Sequence, residues 1–274
     1  MGISVVIPLY NKAATVRRSV ASVLSQTAQP DEVIIVDDGS TDAPSLDGWG
    51  AVVRVVRQEN QGVSMARNRG ISEAQSEWVA FLDADDQWEP GFLEEIHRLM
   101  TLYPEAHLCA TAYGHTDQQG RSQGLVLNHL PFAGEEGLMT NYFDVAAHSN
   151  PPFCSISVCV RKASLLAIGD FPRGIIAGED LLTWARLALL GPIAYCTRPL
   201  ATFFPQRESY YSRPSRVPQE GDPVGKALAQ MLAEHPEVSG LKEYVALWHK
   251  MRASIYLRLP NHGRDCRKEV RTAL

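Results

Sequence analysis

The first hundred residues alternate between short apolar runs and stretches with helical periodicity, and this alternation admits few folds. Four runs are almost continuously apolar, as strands buried on both faces of a sheet are: residues 3–9, 33–36, 52–56 and 78–82. Helices are predicted at 16–24, from Ser64 as a cap to about Ala74, and after Pro90. Such alternation predicts parallel βαβ units with right-handed crossovers, and therefore an α/β fold.

The pattern is less regular beyond about residue 105. Pro199 lies inside one apolar run and marks an edge or a break there, because proline cannot donate to a sheet. The predicted elements are strands at 108–113, 155–161 and 195–204, a loop region at 128–152, helices at 179–190, 224–234 and 241–259, and a polar, proline-rich connection at 205–223.

Composition excludes several classes of protein. The chain has 274 residues, 45% of them hydrophobic, which is enough for one large α/β domain with a modest appendage. The net charge of −5 argues against nucleic acid as a partner. No apolar run is long enough for a membrane span, and the first residues lack the features of a signal peptide.

The cysteines indicate a cytoplasmic protein. They are five in number, scattered, and most adjoin apolar residues: Cys109, Cys154, Cys159, Cys196 and Cys266. We interpret them as reduced core cysteines, with a zinc site as the alternative.

Polar residues follow the predicted strands directly, as Tyr10-Asn11, Asp37-Asp38 and the stretch 83–86. In parallel sheets, ligands bind outside the carboxyl ends of the strands. Asp83 and Asp85 end a buried strand, and carboxylate oxygens with substrate phosphates suit Mn²⁺ or Mg²⁺. The alternative is that these aspartates form turns and cap helices.

Other polar residues have both a functional and a structural interpretation. Asp38 either accepts a hydrogen bond from a nucleotide base or a sugar hydroxyl, or closes a turn. Arg67 either binds a phosphate or lies on a helix surface. Trp88 either walls a sugar or acceptor pocket or packs at its rim. Glu179 and Asp180 open a helix, where carboxylates either cap or serve as a general base.

These residues together resemble the family 2 glycosyltransferases of the GT-A fold, over about residues 3–204. The stretches that carry the resemblance are SVVIPLYN (4–11), SVLSQT (22–27), EVIIVDDGSTD (32–42), NQG (60–62), ARNRG (66–70), FLDADD (81–86) and GEDL (178–181).

The resemblance implies a Rossmann-like, mostly parallel sheet flanked by helices, with a small helical extension at 205–274. A nucleotide-sugar-binding part at about 1–105 and an acceptor-binding part at about 106–204 are expected. The implied donor-site residues are Pro8, Tyr10, Asp38, Arg67, Asp83 and Asp85. The family further implies that Asp85 and Asp83 hold Mn²⁺ or Mg²⁺, that Asp180 is the general base, and that Glu179 assists it.

The implied reaction is an inverting transfer from a nucleotide sugar, UDP-linked by family precedent, to a saccharide or lipid-linked acceptor of bacterial polysaccharide, lipopolysaccharide or glycoconjugate synthesis. Acceptor contacts are expected in 131–152, including His148, or at Trp88. The QxxRW motif of processive members is missing at Gln206-Arg207-Glu208, so single transfers are expected. The alternatives are a sugar-phosphate nucleotidyltransferase and an inactive sugar-nucleotide-binding relative.

The C-terminal stretch is basic. Its cationic residues are Arg252, Arg258, Arg264, Arg267, Lys268 and Arg271. They suit either a peripheral contact with an anionic membrane surface or a solvated helix face.

Overall fold

One mixed sheet runs through the molecule. The structure is a computed structural model, and it describes residues 1–116, 122–204 and 217–274. Within these residues the sheet has ten strands, and eight of them follow the order β3-β2-β1-β4-β9-β6-β10-β5. The strands are β1 (Ile3–Leu9), β2 (Glu32–Asp37), β3 (Val53–Arg57), β4 (Trp78–Phe81), β5 (Gln87–Trp88), β6 (Leu108–Thr116), β7 (Ser122–Gln123), β8 (Glu136–Met139), β9 (Val158–Arg161) and β10 (Ile193–Phe203).

The helices flank this sheet. They are α1 (Val16–Leu24), α2 (Val63–Glu73), α3 (Phe92–Leu102), α4 (Tyr142–His148), α5 (Lys162–Ala167), α6 (Glu179–Leu190), α7 (Pro223–Glu234), α8 (Leu241–Leu257) and α9 (Gly263–Ala273), with a 3₁₀ helix at Ser155–Ser157. Among the described helices, none combines the length and apolarity needed to cross a membrane.

The N-terminal part of the sheet is the parallel unit that the sequence predicts. β1 pairs in parallel with β2 and β4, and β2 pairs in parallel with β3. The full burial of β1 and β4 matches their continuous apolar character. Parallel pairing brings the carboxyl ends of these strands to one edge of the sheet.

The remaining strands make the sheet mixed. β9 lies antiparallel between β4 and β6, and β10 is parallel to β6. The register between β10 and β6 shifts on both sides of Pro199, which confirms that this proline interrupts the strand. β5 and β8 pair antiparallel with β10, so the sheet is parallel mainly in its first half.

Side chains alternate between two cores, one on each face of the sheet. Ile7 packs with residues of α1 and α3 on one face. Val6 packs on the other face with residues of α2, α4 and α6, and with Leu228 of α7 and Trp248 of α8. The C-terminal helices therefore share the core of the main sheet, whereas the division into 1–204 and 205–274 stays a prediction.

Several predicted elements differ from the structure. Gly62 rather than Ser64 caps α2, α3 begins at Phe92, and the first part of the predicted strand 155–161 is a 3₁₀ helix. The predicted loop 128–152 contains β8 and α4, and α9 was not predicted. The segment Gln206-Arg207-Glu208 lies outside the described residues, as does most of the predicted proline-rich connection.

The interpretation of the cysteines as unpaired core residues fits four of them, whereas Cys266 lies on α9 outside both cores. All five are free; Cys109, Cys159 and Cys196 are buried, and Cys154 and Cys266 are partly exposed. None of the groups of metal-ligating side chains found in the described residues includes a cysteine.

Candidate active site

A cleft of about 410 Å³ opens at the carboxyl ends of β1, β2 and β4. The fold thus places a concave site where parallel sheets bind ligands. Five of the predicted donor-site residues line it: Pro8, Tyr10, Asp38, Asp83 and Asp85. Lys12, Asn60 and Gly62 also line it, although none of them was predicted as a donor-site residue.

The adjacent aspartates at the end of β2 have different tasks. Asp37 accepts a hydrogen bond from the backbone N–H of Ser40 at 3.0 Å and closes the turn. The buried carboxylate of Asp38 lines the cleft, and its oxygens accept from the backbone N–H groups of Gln61 (2.9 Å) and Gly62 (2.8 Å). Asp38 therefore fixes the start of α2 relative to the cleft.

A cation already faces the carboxylate of Asp85. The ammonium Nζ of Lys12 lies 2.5 Å from Asp85 Oδ2, and Arg18 donates to the Asp85 carbonyl oxygen. Lys12 comes from the loop after β1, so two strand ends contribute to this ion pair. The position attracts positive charge, as a site for a divalent cation must.

Arg67 joins the cleft to the start of α6. Its buried guanidinium donates from Nη2 to Asp83 Oδ1 at 3.0 Å and from Nη1 to Glu179 Oε1 at 3.3 Å. One face of the guanidinium packs on Phe171, 5.2 Å from the ring centroid. The side-chain amide of Asn68 holds Phe171 in place, since Nδ2 donates to the Phe171 carbonyl oxygen and Oδ1 accepts from the Phe171 N–H, each at 2.9 Å. Carboxylates from distant parts of the chain thus converge on one cation.

Glu179 and Asp180 form the first turn of α6. Gly178, in the left-handed conformation, precedes them, and Asp180 Oδ1 accepts from the backbone N–H of Leu181 at 2.8 Å. Burial raises the pKa of both carboxyls, and the charge of Arg67 opposes this rise. A partly buried acid pair with raised pKa values is typical of a catalytic site.

Three of the eight buried polar atoms that lack a hydrogen-bond partner in the described residues belong to residues next to the cleft. Within the described residues, Ser64 Oγ, Arg67 Nε and Asp86 Oδ2 have no hydrogen-bond partner. Burial and the nearby Asp83 raise the pKa of Asp86 to about 9, although its Oδ1 accepts from the backbone N–H of Phe204 at 2.8 Å. Unsatisfied groups of this kind are uncommon in native interiors, and a functional role is one of their explanations.

Two residues predicted for the acceptor lie apart from this cleft. Trp88 is 1% exposed, stacks on Phe92 in the core and donates from Nε1 to the Ile156 carbonyl oxygen. The prediction that it walls a pocket is wrong, because its neighbours bury both faces of the ring. His148 is exposed at the end of α4, beside Asp144 rather than in the cleft.

The donor set of the cleft fits a hard divalent ion. Asp83 and Asp85 present carboxylates, the ligands that Mg²⁺ and Mn²⁺ prefer, and the ion pair with Lys12 shows that Asp85 accepts a cation there. Substrate phosphates complete such sites in other proteins.

Comparisons with known proteins agree with this geometry. The sequence model of glycosyl transferase family 2 matches residues 4–156, more than half of the chain. The uncharacterized glycosyltransferase YibD of Escherichia coli (strain K12) is 42% identical over 111 residues, which cover 39% of this chain and 31% of YibD. The chain spans about a third or less of the length of such curated relatives.

Solved structures establish the fold as GT-A. Staphylococcus aureus TarS 1–349 in complex with UDP-GlcNAc superposes with a TM-score of 0.72 at 18% identity, covering 100% of this chain and 80% of that chain. The mannosyltransferase PcManGT from Pyrobaculum calidifontis, in complex with GDP-Man and Mn²⁺, superposes with a TM-score of 0.61 at 19% identity, covering 96% and 73%.

Proposed function

The chain belongs to glycosyl transferase family 2, and from this premise we propose that it transfers one sugar from a nucleoside diphosphate to an acceptor hydroxyl with inversion. A UDP-sugar is the favoured donor, since TarS, which binds UDP-GlcNAc, has a similar fold. The proposed acceptor is a saccharide or a lipid-linked molecule of polysaccharide, lipopolysaccharide or glycoconjugate synthesis.

The bridge made by Arg67 is the observation that carries the proposal. It connects Asp83, which lines the cleft, to Glu179, which adjoins Asp180. A donor in the cleft and a base on α6 would therefore share one electrostatic environment. Preorganised charges around a reacting centre are a main source of catalysis.

The donor would occupy the cleft. Tyr10, 48% exposed, and Pro8 are proposed to contact the base, and Asp38 the base or ribose. Asp85 and Asp83 would hold Mn²⁺ or Mg²⁺, which neutralises charge on a departing diphosphate. Lys12, which pairs with Asp85 in this structure, would turn toward the diphosphate when the ion binds.

Asp180 is the proposed general base. In the transfer, the acceptor hydroxyl gives its proton to the Asp180 carboxylate while its oxygen forms a bond to the anomeric carbon. The bond from that carbon to the diphosphate oxygen breaks on the opposite face, which inverts the configuration. Glu179, held by Arg67, is proposed to orient the acceptor or assist the base.

Two alternatives make different predictions. A nucleotidyltransferase would release pyrophosphate from a nucleoside triphosphate and a sugar phosphate, whereas an inactive relative would bind a sugar nucleotide without turnover. The test is release of nucleoside diphosphate from a panel of UDP- and GDP-sugars with Mn²⁺ and candidate acceptors. Acceptor-dependent release from one donor supports the proposal, and pyrophosphate release or binding alone contradicts it.

Peripheral membrane contact is a further proposal, with fewer cationic residues than the sequence suggested. Arg252 is buried and paired with Glu269, so it is not available to contact a membrane. The other five are exposed: Arg258 after α8, and Arg264, Arg267, Lys268 and Arg271 on α9. Co-flotation with anionic but not neutral vesicles would support contact, and no flotation with either would exclude it.

A further inference from the structure

Three metal-ligating side chains converge on the surface at one end of α4. Asp144 and His148 are one turn apart on that helix, and His129 reaches them from the loop between β7 and β8. The ligand atoms of all three lie within 4.8 Å of one another. Nothing in the proposed transfer reaction uses this group, which we call the histidine cluster.

Both imidazoles hydrogen-bond to Asp144 through Nδ1, at separations that also match those between ligands of a single ion. His129 Nδ1 lies 3.0 Å from Asp144 Oδ2, and His148 Nδ1 lies 3.2 Å from Asp144 Oδ1. Two ligands bound at the usual Zn²⁺ distances, at angles between 90° and tetrahedral, are about 3.0–3.4 Å apart. The two imidazole rings stack, with centroids 4.6 Å apart and planes inclined by 26°.

The surrounding chain holds these three residues in place. The Asn128 side chain donates to the His148 carbonyl oxygen at 2.7 Å, and the Asn141 side chain donates to the His129 carbonyl oxygen at 2.9 Å. His129 has a positive φ of 62°, a conformation that costs free energy for a non-glycine residue. Local contacts thus maintain a backbone that brings its ring to the cluster.

A second group with similar ligand types does not suit a cation. Asp222, His249 and Glu269 converge between α7, α8 and α9. The guanidinium Nε of Arg252 lies 2.8 Å from Glu269 and 3.4 Å from Asp222, so a fixed positive charge already occupies the centre. A metal ion would have to displace a buried arginine. The histidine cluster has no such competitor among the described residues.

The ligand chemistry selects the ion. Two imidazoles and one carboxylate suit Zn²⁺, Ni²⁺ or Cu²⁺, whereas Mg²⁺ requires oxygen ligands. This preference separates the histidine cluster from the all-carboxylate site at Asp83 and Asp85. We propose that His129, Asp144 and His148 form a second metal site, which binds a divalent transition ion, with Zn²⁺ as the expected ligand.

The location suggests what the ion would do. Ser149 and Asn150, which follow His148, line a second cavity of about 170 Å³ whose wall includes Leu181, the residue after Asp180. An ion at the histidine cluster would fix the loop at residues 128–130 to α4 and so stiffen the rim of that cavity. Three protein ligands would leave positions for water or an acceptor group.

The test is calorimetric titration of the EDTA-stripped full chain with Zn²⁺, with Co²⁺ absorption as a report of nitrogen ligation. One Zn²⁺ should bind per chain, and His129→Asn and His148→Ala should each weaken binding about tenfold or more, since each removes a ligand. Asparagine is chosen at 129 because it tolerates a positive φ. Melting temperatures in EDTA establish that each variant folds.

A matched control and a second variant complete the design. His262→Ala removes another histidine that pairs with a nearby aspartate, Asp265, and should leave Zn²⁺ affinity unchanged. Asp85→Ala should also leave Zn²⁺ affinity unchanged. The experiment can therefore reject the proposed zinc site without rejecting the proposed transfer reaction, and the transfer assay can do the opposite. Absence of Zn²⁺ binding, or equal binding by wild type and both histidine variants, would overturn the proposal.

Discussion

The indole ring of Trp248 lies directly against Gly178, the residue before the Glu179-Asp180 pair. A Cβ at position 178 would come within 2.7 Å of two atoms of that ring. Asp222 holds the indole in place, since Trp248 Nε1 donates to Asp222 Oδ1 at 3.0 Å. A residue of α8 therefore forms part of the support for the first turn of α6.

Tyr244 adds a second contact between the same two helices. Its hydroxyl donates to the Leu181 carbonyl oxygen at 3.2 Å and lies 3.4 Å from the hydroxyl of Tyr142. Both α7 and α8 lie beyond the segment that the family model matches. The C-terminal helices thus hold α6, and with it the proposed base, in position.

Substitution of Gly178 tests this support. Gly178→Ala should lower the free energy of unfolding by about 1–3 kcal/mol, because the new methyl group meets the ring at a φ of 86°. Gly174→Ala is the control, since Gly174 also has a positive φ but has open space around it. Urea denaturation measures both, and equal losses would show that the contact with Trp248 does not matter.

The pH dependence of transfer tests the coupling between Arg67 and Asp180. Burial raises the pKa of Asp180 and Arg67 lowers it, so removing the guanidinium should raise that pKa further. A base must be unprotonated to act, and the acidic limb of kcat/KM should therefore move to higher pH in Arg67→Gln. Arg67→Lys keeps the charge and should move the limb less. Identical limbs in all three proteins would contradict the assignment.

Metal-dependent donor binding tests Asp85. Asp85→Ala should abolish the increase in nucleoside-diphosphate affinity that Mn²⁺ causes, because the variant lacks a cation ligand. Asp47→Ala, at an exposed aspartate outside the cleft, should retain the increase. Calorimetry with and without Mn²⁺ measures the effect, and a persisting increase in Asp85→Ala would remove this role.

Asp170 provides a test of electrostatics that does not depend on function. Burial raises the pKa of its carboxyl, and among the described residues Oδ1 has no hydrogen-bond partner. A raised pKa in the folded state means that stability is lost as pH rises from about 4 through that pKa. Asp170→Asn should remove this loss and raise the unfolding free energy at pH 8, because the amide has no charge to desolvate.

The same substitution should have little effect at low pH, where the carboxyl is protonated. Asparagine also tolerates the φ of 60° at this position. Denaturation of both proteins at pH 4 and pH 8 gives the comparison. A gain of the same size at both values would assign the effect to the backbone rather than to the charge.

The local sequence pattern was sufficient to predict the elements in which burial and periodicity agree. β1 and α6 occupy the predicted residues, because a fully buried strand is continuously apolar and a helix stripe repeats at fixed spacing. The ends of parallel strands also predicted that Asp38, Asp83 and Asp85 would share one cleft.

Long-range contacts explain most of what the sequence did not reveal. The carboxylate of Asp38 captures the backbone N–H of Gly62, which moves the helix start away from Ser64. The segment containing α4 is stabilised by burying Phe143 against α8, and no short-range signal indicates that packing.

Residues of the site itself were missed for two reasons. Lys12 follows a predicted strand end, and its charge opposite the aspartates was a signal that could have identified it. Trp248 lies seventy residues after Gly178, and nothing in the sequence around it indicates that contact.

The most direct test of the account is Asp180→Asn, assayed for both transfer and donor binding. Loss of a general base should lower kcat about 10²- to 10⁴-fold. Affinity for the nucleoside diphosphate with Mn²⁺ should stay at the wild-type value, because Asp180 does not line the donor cleft. Wild-type turnover in this variant, or loss of nucleotide binding together with turnover, would contradict the assignment of Asp180 as the base.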